Sequence, residues 1–386
     1  MTGLVRALKG LLMVGLVSGC SWLGSDDDSE IQPAELTTFE EEIRVERVWS
    51  TSLDGSANKF WQTLRPSASD TVVFAASHDG QVNALAVADG SVLWRYDIGS
   101  ELSGGVGFGG GSVIVGTAEG EVYALNADDG SRQWFHQIGT EILASPQSNG
   151  DVVVVRTIDD KIYALDATSG EERWRHDGDA PILSVRGTSS ALVTDTMVLA
   201  GFDSGKLISF NPENGSIIWE SRLALPKGRT ELERMVDIDG DPLLVGDVLY
   251  AVSYQGRVGA ITRGTGRSLW LGDSSSHRTP AHGQDQVYVT ESDDTVRAFQ
   301  AGSGRPAWEN DSLFLRRLTS PTVIGGAVAV ADADGYLHLL DALDGRFVGR
   351  TKVSGGGVQS SMLRRGEYLI VQSVKGTVSA YRIETR

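Results

Sequence analysis

A segment of roughly forty residues recurs along most of this 386-residue chain, and this repetition restricts the possible folds more than any other feature. Seven copies align on one turn position, which is Gly80, Gly120, Asp160, Gly205, Gly256, Asp294 and Gly335. A glycine follows that position by ten residues in every copy, at Gly90, Gly130, Gly170, Gly215, Gly266, Gly304 and Gly345. A tryptophan follows it by fourteen residues in six copies, at Trp94, Trp134, Trp174, Trp219, Trp270 and Trp308. The seventh copy has Gly349 instead. A repeat of this length is one supersecondary unit that buries its surfaces against its neighbours.

Each copy has the pattern of four short strands. Alternation such as Val122 and Ala124 against Glu121 and Tyr123 indicates a strand, and clusters of Asp, Asn and Gly indicate the turns. No stretch has the apolar periodicity of a helix of any length. Four-stranded units of this period predict an all-β protein, a β-propeller.

The two ends of the chain predict how the propeller closes. An eighth copy begins at Gly376, but the chain ends at Arg386, before the tryptophan of that copy. Trp49 precedes Trp94 by forty-five residues, a spacing within the range of the other copies. We therefore expect the strand that contains Trp49 to be the outer strand of blade eight. This gives one eight-bladed domain, residues 43–386, in which seven tryptophans pack between blades.

The first twenty residues have the layout of a secretory signal. Arg6 and Lys9 precede the apolar run "LLMVGLV", which is too short to span a bilayer, and "VSGC" follows, ending at Cys20. This ending resembles the lipobox of bacterial lipoproteins. The resemblance implies a signal peptide over residues 1–19, acylation of Cys20, the only cysteine of the chain, and sorting to the outer membrane because Ser21 follows. The acidic stretch after it predicts a lipidated flexible tether over residues 20–42.

The formal net charge of -17 argues against nucleic acid and against anionic membrane surfaces as partners. A basic patch on another protein suits this charge better. Attachment to the membrane is then expected through the lipid anchor alone, since several acyl chains hold a protein stably without surface charge.

The stretch "GGVGFGG" contains the spacing GxGxxG at Gly105, Gly107 and Gly110, which is typical of dinucleotide binding. Such a site requires a strand before the glycines and a helix after them. Here strand, turn and strand follow, so we assign these glycines to the crowded innermost strand of blade two.

A second motif is "DIDGDP", which places Asp237, Asp239 and Asp241 at the first, third and fifth positions of a calcium loop. Calcium binding is an alternative that two positions oppose, since Pro242 and Val248 stand where such a loop has glycine and the bidentate glutamate. The motifs GxSxG, HExxH and the P-loop are absent from the sequence.

Two inter-blade segments depart from the repeat. Trp219 and Trp270 are fifty-one residues apart, and the extra length falls in "SRLALPKGRTELERMVDIDGDP". The preceding inter-blade segment reads "APILSVRGTSSA". Extra length on one face of a repeat protein often forms its binding surface.

The repeats "YALNADDGSRQW" and "YALDATSGEERW" are similar to those of pyrroloquinoline-quinone enzymes. This resemblance implies, as an alternative, a PQQ-dependent periplasmic dehydrogenase. Such enzymes carry an adjacent cysteine pair and calcium, whereas Cys20 is the only cysteine here. A structural or glycan-binding propeller is a third possibility.

The lipobox, the eight repeats and both segments together resemble the BamB family, lipoproteins of the outer-membrane β-barrel assembly machine. The resemblance implies a non-catalytic scaffold without a cofactor, lipid-anchored on the periplasmic face of the outer membrane. Its expected partners are the periplasmic domains of the barrel insertase BamA, other lipoproteins of the machine, and unfolded outer-membrane proteins that could pair with blade edges.

The family's insertase-contacting residues also transfer by resemblance. They correspond in this sequence to Leu183, Val185, Arg186, Asp237 and Asp239. Two apolar side chains, a planar guanidinium and two carboxylates suit a contact with a basic edge of a partner. The alternative is that Asp237 or Asp239 pairs internally with Arg186, Arg229 or Arg234.

Overall fold

The computed structural model of the chain describes residues 32–53, 64–178, 187, 189–230 and 232–385. The predicted signal peptide and Cys20 lie outside these ranges, as do Leu183, Val185 and Arg186. One compact unit extends from Pro33 to Arg386. In the described part of the chain, no helix is long and apolar enough to cross a membrane.

The described strands form eight antiparallel sheets of four strands each. The first strand of the chain is β1 (Ile43–Ser52). Blade one contains β2 (Ser67–Ala68), β3 (Val72–Ala76), β4 (Gln81–Ala86) and β5 (Val92–Asp97). Blade two contains β6 (Gly107–Gly109), β7 (Ser112–Gly116), β8 (Glu121–Asn126) and β9 (Arg132–Gln137). Blade three contains β10 (Gln147–Ser148), β11 (Val152–Arg156), β12 (Lys161–Asp166) and β13 (Glu172–Asp177). Blade four contains β14 (Leu192–Val193), β15 (Val198–Gly201), β16 (Lys206–Phe210) and β17 (Ile217–Arg222).

The second half of the ring repeats this arrangement. Blade five contains β18 (Leu243–Val245), β19 (Val248–Val252), β20 (Arg257–Thr262) and β21 (Ser268–Asp273). Blade six contains β22 (Ala281–Gly283), β23 (Gln286–Thr290), β24 (Val296–Gln300) and β25 (Pro306–Asn310). Blade seven contains β26 (Thr322–Ile324), β27 (Ala327–Ala331), β28 (Tyr336–Asp341) and β29 (Phe347–Lys352). Blade eight contains β30 (Leu363–Arg365), β31 (Tyr368–Gln372), β32 (Thr377–Thr385) and β1.

The predicted closure is confirmed. Strand β1 pairs antiparallel with β32, from Ile43 opposite Thr385 to Ser52 opposite Thr377. The N-terminal strand is therefore the outer strand of the last blade, and the all-β, eight-bladed propeller expected from the repeats is present.

The repeated tryptophan and glycine form one contact between successive blades. Trp94 on β5 donates its indole N–H to the Ala127 carbonyl at 2.8 Å, in a turn of blade two. Three residues later, Gly130 has a φ of 74°, and a Cβ there would lie 2.6 Å from the Trp94 ring. Glycine is required at this place for two reasons, the left-handed backbone and the space that the indole takes. The same pair of contacts recurs for Trp49, Trp134, Trp174, Trp219, Trp270 and Trp308.

The exception in the seventh copy has a structural reason. A Cβ at Gly349 would lie 2.7 Å from the Ile43 carbonyl oxygen, because β1 enters blade eight at this point. A tryptophan on β29 has no room beside the N-terminal strand.

The glycines of the GxGxxG spacing lie where blades two and three approach each other. Gly107 begins the innermost strand β6, and a Cβ there would lie 1.8 Å from the Pro146 carbonyl oxygen. A Cβ at Gly110 would lie 2.3 Å from the Cα atom of Gly150. Strands follow them, so the interpretation as close-packing glycines is confirmed.

Part of the predicted tether belongs to the folded body. The Ala34 N–H donates to the Phe314 carbonyl at 2.9 Å, and the Glu42 N–H donates to the Val348 carbonyl at 2.9 Å. Phe39 stacks on Phe347 with ring centroids 5.4 Å apart. Residues 33–42 therefore lie against blade seven, because aromatic and apolar side chains are interspersed among their acidic residues.

Replacing Trp134 by Ala should lower the free energy of unfolding by about 3 to 5 kcal/mol, because the indole fills the space between two blades. The matched control is Leu343→Ala, since Leu343 is 65 % exposed in a turn of blade seven, and it should change stability by less than about 0.5 kcal/mol. Equilibrium unfolding in urea measures both. Equal effects of the two substitutions would contradict the assignment of the tryptophans.

Candidate functional site

The candidate site consists of two neighbouring inter-blade connections. The first joins β13 to β14 and contains Gly187, Ser189 and Ser190, and the second joins β17 to β18 and contains Asp237 and Asp239. Strands alternate in direction within a blade, so these connections leave on the same face as the turns between second and third strands. That face also presents the turn of blade three at Asp160.

A buried arginine lies at the base of the site. The Arg156 guanidinium donates to Asp160 Oδ1 at 2.7 Å, to the Ser189 carbonyl at 3.0 Å and to Ser189 Oγ at 2.7 Å. It also lies 5.1 Å from the centre of the Phe202 ring. Arg156 thereby joins blade three to the first connection, and its charge is balanced by a carboxylate in a place that water does not reach.

Four carboxyl groups at the base of the site influence one another, those of Asp160, Asp203, Asp237 and Asp239, and we call them the acidic cluster. Burial raises the pKa of Asp239 well above its usual range, and the neighbouring Asp237 and Asp203 raise it further against the opposing effect of Arg156. Burial also raises the pKa of Asp160 to about 7, although Arg156 favours its charged form. Burial and the neighbouring carboxylates therefore favour the protonated forms of Asp160 and Asp239.

The side chains of Asp237 and Asp239, which the sequence analysis selected, lie beneath the surface. The Asp237 side chain is 0 % exposed. Both carboxyl oxygens of Asp239 are inaccessible to solvent and lack a hydrogen-bond partner. A Cβ at Gly187 would lie 2.8 Å from Asp239 Cγ, so the first connection covers this carboxyl group. The sequence predicted that these carboxylates contact a partner; in this structure they are buried and Asp239 lies against the first connection, so the partner contact stays a prediction.

The calcium-loop interpretation does not fit this geometry. Asp241 Oδ2 pairs with the Arg65 guanidinium, and Asp241 Oδ1 accepts the Ser190 N–H at 2.6 Å. Both oxygens are therefore engaged by donors. Among the residues that the structure describes, no group of three or more His, Cys, Asp and Glu side chains is arranged to hold a metal ion. The calcium that the quinoprotein resemblance implies likewise finds no ligand set in those ranges.

The exposed part of the site is a short capped loop, residues 225–230 and 232–234. Thr230 Oγ1 accepts the Glu233 N–H at 3.2 Å, and the Glu233 carboxylate accepts the Thr230 N–H at 3.2 Å and the Arg229 N–H at 2.7 Å. This reciprocal capping box precedes a single turn of 3₁₀ helix, Leu232–Arg234. The sequence signal for it is Thr-x-x-Glu in "TELE".

The capped loop presents an apolar surface with basic neighbours. Leu225 and Leu232 are each 60 % exposed. Lys227, Arg229 and Arg234 are exposed between and beside them. Exposed leucines held on a fixed turn are suited to protein contact, since little conformational entropy is lost when they are covered. The sequence analysis marked this insertion as a binding surface but did not separate its exposed leucines from the buried Met235 and Val236.

Comparison with protein families gives one match across most of the chain. The model described as outer membrane protein assembly factor BamB matches residues 78–310 and 292–386. The outer membrane protein assembly factor BamB of Pseudomonas aeruginosa is 50% identical over 367 residues, which cover 95% of this chain and 96% of that protein.

Solved structures give the same result for the fold. The crystal structure of BamB from Moraxella catarrhalis superposes with a TM-score of 0.81 at 31% identity, over 88% of this chain and 100% of that one. The quinohemoprotein alcohol dehydrogenase ADHIIG of Pseudomonas putida HK5 superposes with a TM-score of 0.69 at 14% identity, over 89% of this chain and 76% of that one. The second likeness shows a shared fold only.

The raised pKa of Asp239 predicts how stability depends on pH. The folded protein keeps a proton on Asp239 at pH values where the unfolded chain has released it, above about pH 4. Wild-type stability therefore falls as the pH rises toward the raised pKa, by up to about 1.4 kcal/mol per pH unit. Asp239→Asn removes this dependence, so the variant should gain stability relative to wild type between pH 4.5 and neutrality.

Thermal unfolding at constant ionic strength measures the difference, with the exposed Asp128→Asn as the control. Parallel pH profiles for wild type and Asp239→Asn would show that Asp239 is ionised in the folded protein.

Proposed function

The chain belongs to the BamB family of outer membrane protein assembly factors, and we propose that it is a non-catalytic scaffold subunit of the outer-membrane β-barrel assembly complex. Its role in outer membrane protein assembly follows from the family match over nearly the whole chain. The observation that supports a scaffold is the pair of inter-blade connections. They are held at their base by the buried Arg156, and the second connection exposes Leu225 and Leu232 at the surface. A rigid propeller with one such surface suits a docking function.

We propose that this surface binds the periplasmic domains of the barrel insertase. Leu183, Val185 and Arg186 of the first connection and the capped loop of the second would form the contact. Leu225 and Leu232 supply the apolar centre, and exposed charges supply the rim, as in typical interfaces. In this proposal Asp237 and Asp239 contribute from below the surface, where their side chains are buried and Asp239 packs against Gly187 of the first connection.

The position in the cell is proposed from the lipobox. Acylation at Cys20 would hold the propeller at the periplasmic face of the outer membrane, with the residues between Cys20 and Pro33 as the link. Membrane fractionation of a Cys20→Ala variant tests this, since the unacylated protein should leave the outer-membrane fraction.

A contact with unfolded outer-membrane proteins is the second part of the proposal. The outer strands of blades four and five expose Ile217, Ile218, Leu269 and Leu271 by 38 to 48 % of their surface. The free edges of β17 and β21 offer backbone donors and acceptors beside these side chains, so extended client segments could add as strands.

Catalysis is not part of the proposed function. A quinone-dependent dehydrogenase of this fold would need a calcium ligand set, whereas Asp160 is paired with Arg156 and Asp241 is paired with Arg65. The likeness to the alcohol dehydrogenase extends to the fold alone.

Substitutions on the two connections test the docking site. Arg186→Ala and Leu232→Asp should each weaken binding of the soluble body, residues 21–386, to immobilised periplasmic domains of the insertase by about tenfold or more. The matched control is Leu343→Asp, which changes an equally exposed leucine in blade seven and should leave the affinity unchanged. Interferometry gives the affinities, and thermal melting confirms that the variants are folded. Wild-type affinity in both site variants would place the contact elsewhere.

A further inference from the structure

Eight residues occupy the same place in the eight blades, each two positions before the innermost strand. They are Arg65, Gly105, Ser145, Ser190, Asp241, Thr279, Ser320 and Ser361. Innermost strands of several neighbouring blades contact one another, as β6 does with β2 and β10, and β26 does with β22 and β30. These eight positions therefore form a ring around the axial channel, and all but Gly105 carry polar side chains.

Arg65 crosses this ring. Its Nε donates to Ser145 Oγ at 3.0 Å in blade three, and its Nη2 donates to Ser190 Oγ at 2.8 Å in blade four. Its Nη1 pairs with Asp241 of blade five. Blades one and five are opposite each other in a ring of eight, so this ion pair spans the channel. Gly105 leaves room for it, because a Cβ there would lie 2.9 Å from Arg65 Cγ.

Asp241 connects the crossing to both segments of the candidate site. Its Oδ1 accepts the Ser190 N–H at 2.6 Å, and its own N–H donates to Thr279 Oγ1 at 3.0 Å. Ser190 follows Ser189, which Arg156 holds from below, and Asp241 follows Asp239 by two residues. The first and second connections are thus joined to each other and to blade one at a single point.

We propose that Arg65 and Asp241 are positioning residues of the insertase-docking site, a cross-channel clamp that fixes the two connections relative to each other. The inference rests on the proposed docking function. Neither residue needs to touch the partner. The planar guanidinium is suited to this role because its fork holds three acceptors from three blades at once.

The clamp has a kinetic consequence. With the clamp removed, only a fraction of molecules holds both connections in the binding geometry, and the apparent affinity falls by that fraction. The loss then lies in the association rate constant, because the contacts made after docking are unchanged. Removing a residue that contacts the partner would instead raise the dissociation rate constant.

The test uses Arg65→Met, which keeps the apolar stem, and Asp241→Ala, in the soluble body of residues 21–386. We expect the association rate constant for the insertase periplasmic domains to fall about tenfold in each, with the dissociation rate constant unchanged. Arg65→Lys should lie between wild type and Arg65→Met, and it serves as the second variant if Arg65→Met does not fold. The control is Arg173→Met, which removes ion pairs to Asp151 and Asp166 on the outside of blade three and should bind as wild type does.

Hydrogen exchange of the free protein separates the clamp from the docking function. In Arg65→Met, amides of residues 189–190 and 237–241 should exchange faster, while those of β27 stay protected. Wild-type exchange in these segments, or wild-type association by Arg65→Met, would overturn the clamp. A change confined to the dissociation rate would also overturn it, in favour of direct contact. Absence of binding by the wild-type protein would refute the docking function, and the exchange result would still decide the clamp.

Discussion

Closure of the ring by the two chain ends is the constraint on which the remaining structure depends. A blade at the end of an open array would leave one sheet face and one row of tryptophan contacts exposed to water. Pairing of β1 with β32 removes that end, and it places Trp49 against Gly90 of blade one in the same way as the other six tryptophans of the repeat. The cross-channel pair of Arg65 and Asp241 is possible only in a closed ring, since it joins opposite blades.

The regular part of the repeat and its departures have different roles. Seven contacts between a tryptophan and a glycine hold the blades at a constant spacing. The glycine positions accept no larger residue, because a Cβ there would meet the indole ring. The departures fall in the connections after blades three and four, where the polypeptide is longer and carries both buried charges and exposed leucines. A rigid ring with two modified connections presents one binding surface without changing the fold.

The sequence was sufficient for the strands, the closure and the packing of the tryptophans, because each depends on a pattern that recurs at fixed spacing. It was not sufficient for the burial of Asp237 and Asp239, for the attachment of residues 33–42 to blade seven, or for the Arg65 crossing. These depend on which residues of distant blades meet near the axis or at the rim. Arg65 and Asp241 are 176 positions apart in the chain, and no local pattern relates them.

The central claim is that the face with the two connections docks the insertase. Photo-crosslinking in cells tests it most directly, with a photoreactive amino acid placed at Leu232, at Ile218 on the outer edge of blade four, or at Leu343. The account predicts crosslinks to the insertase periplasmic domains from position 232, crosslinks to unfolded outer-membrane proteins from position 218, and neither from position 343. Insertase crosslinks from position 343 and none from position 232 would contradict it.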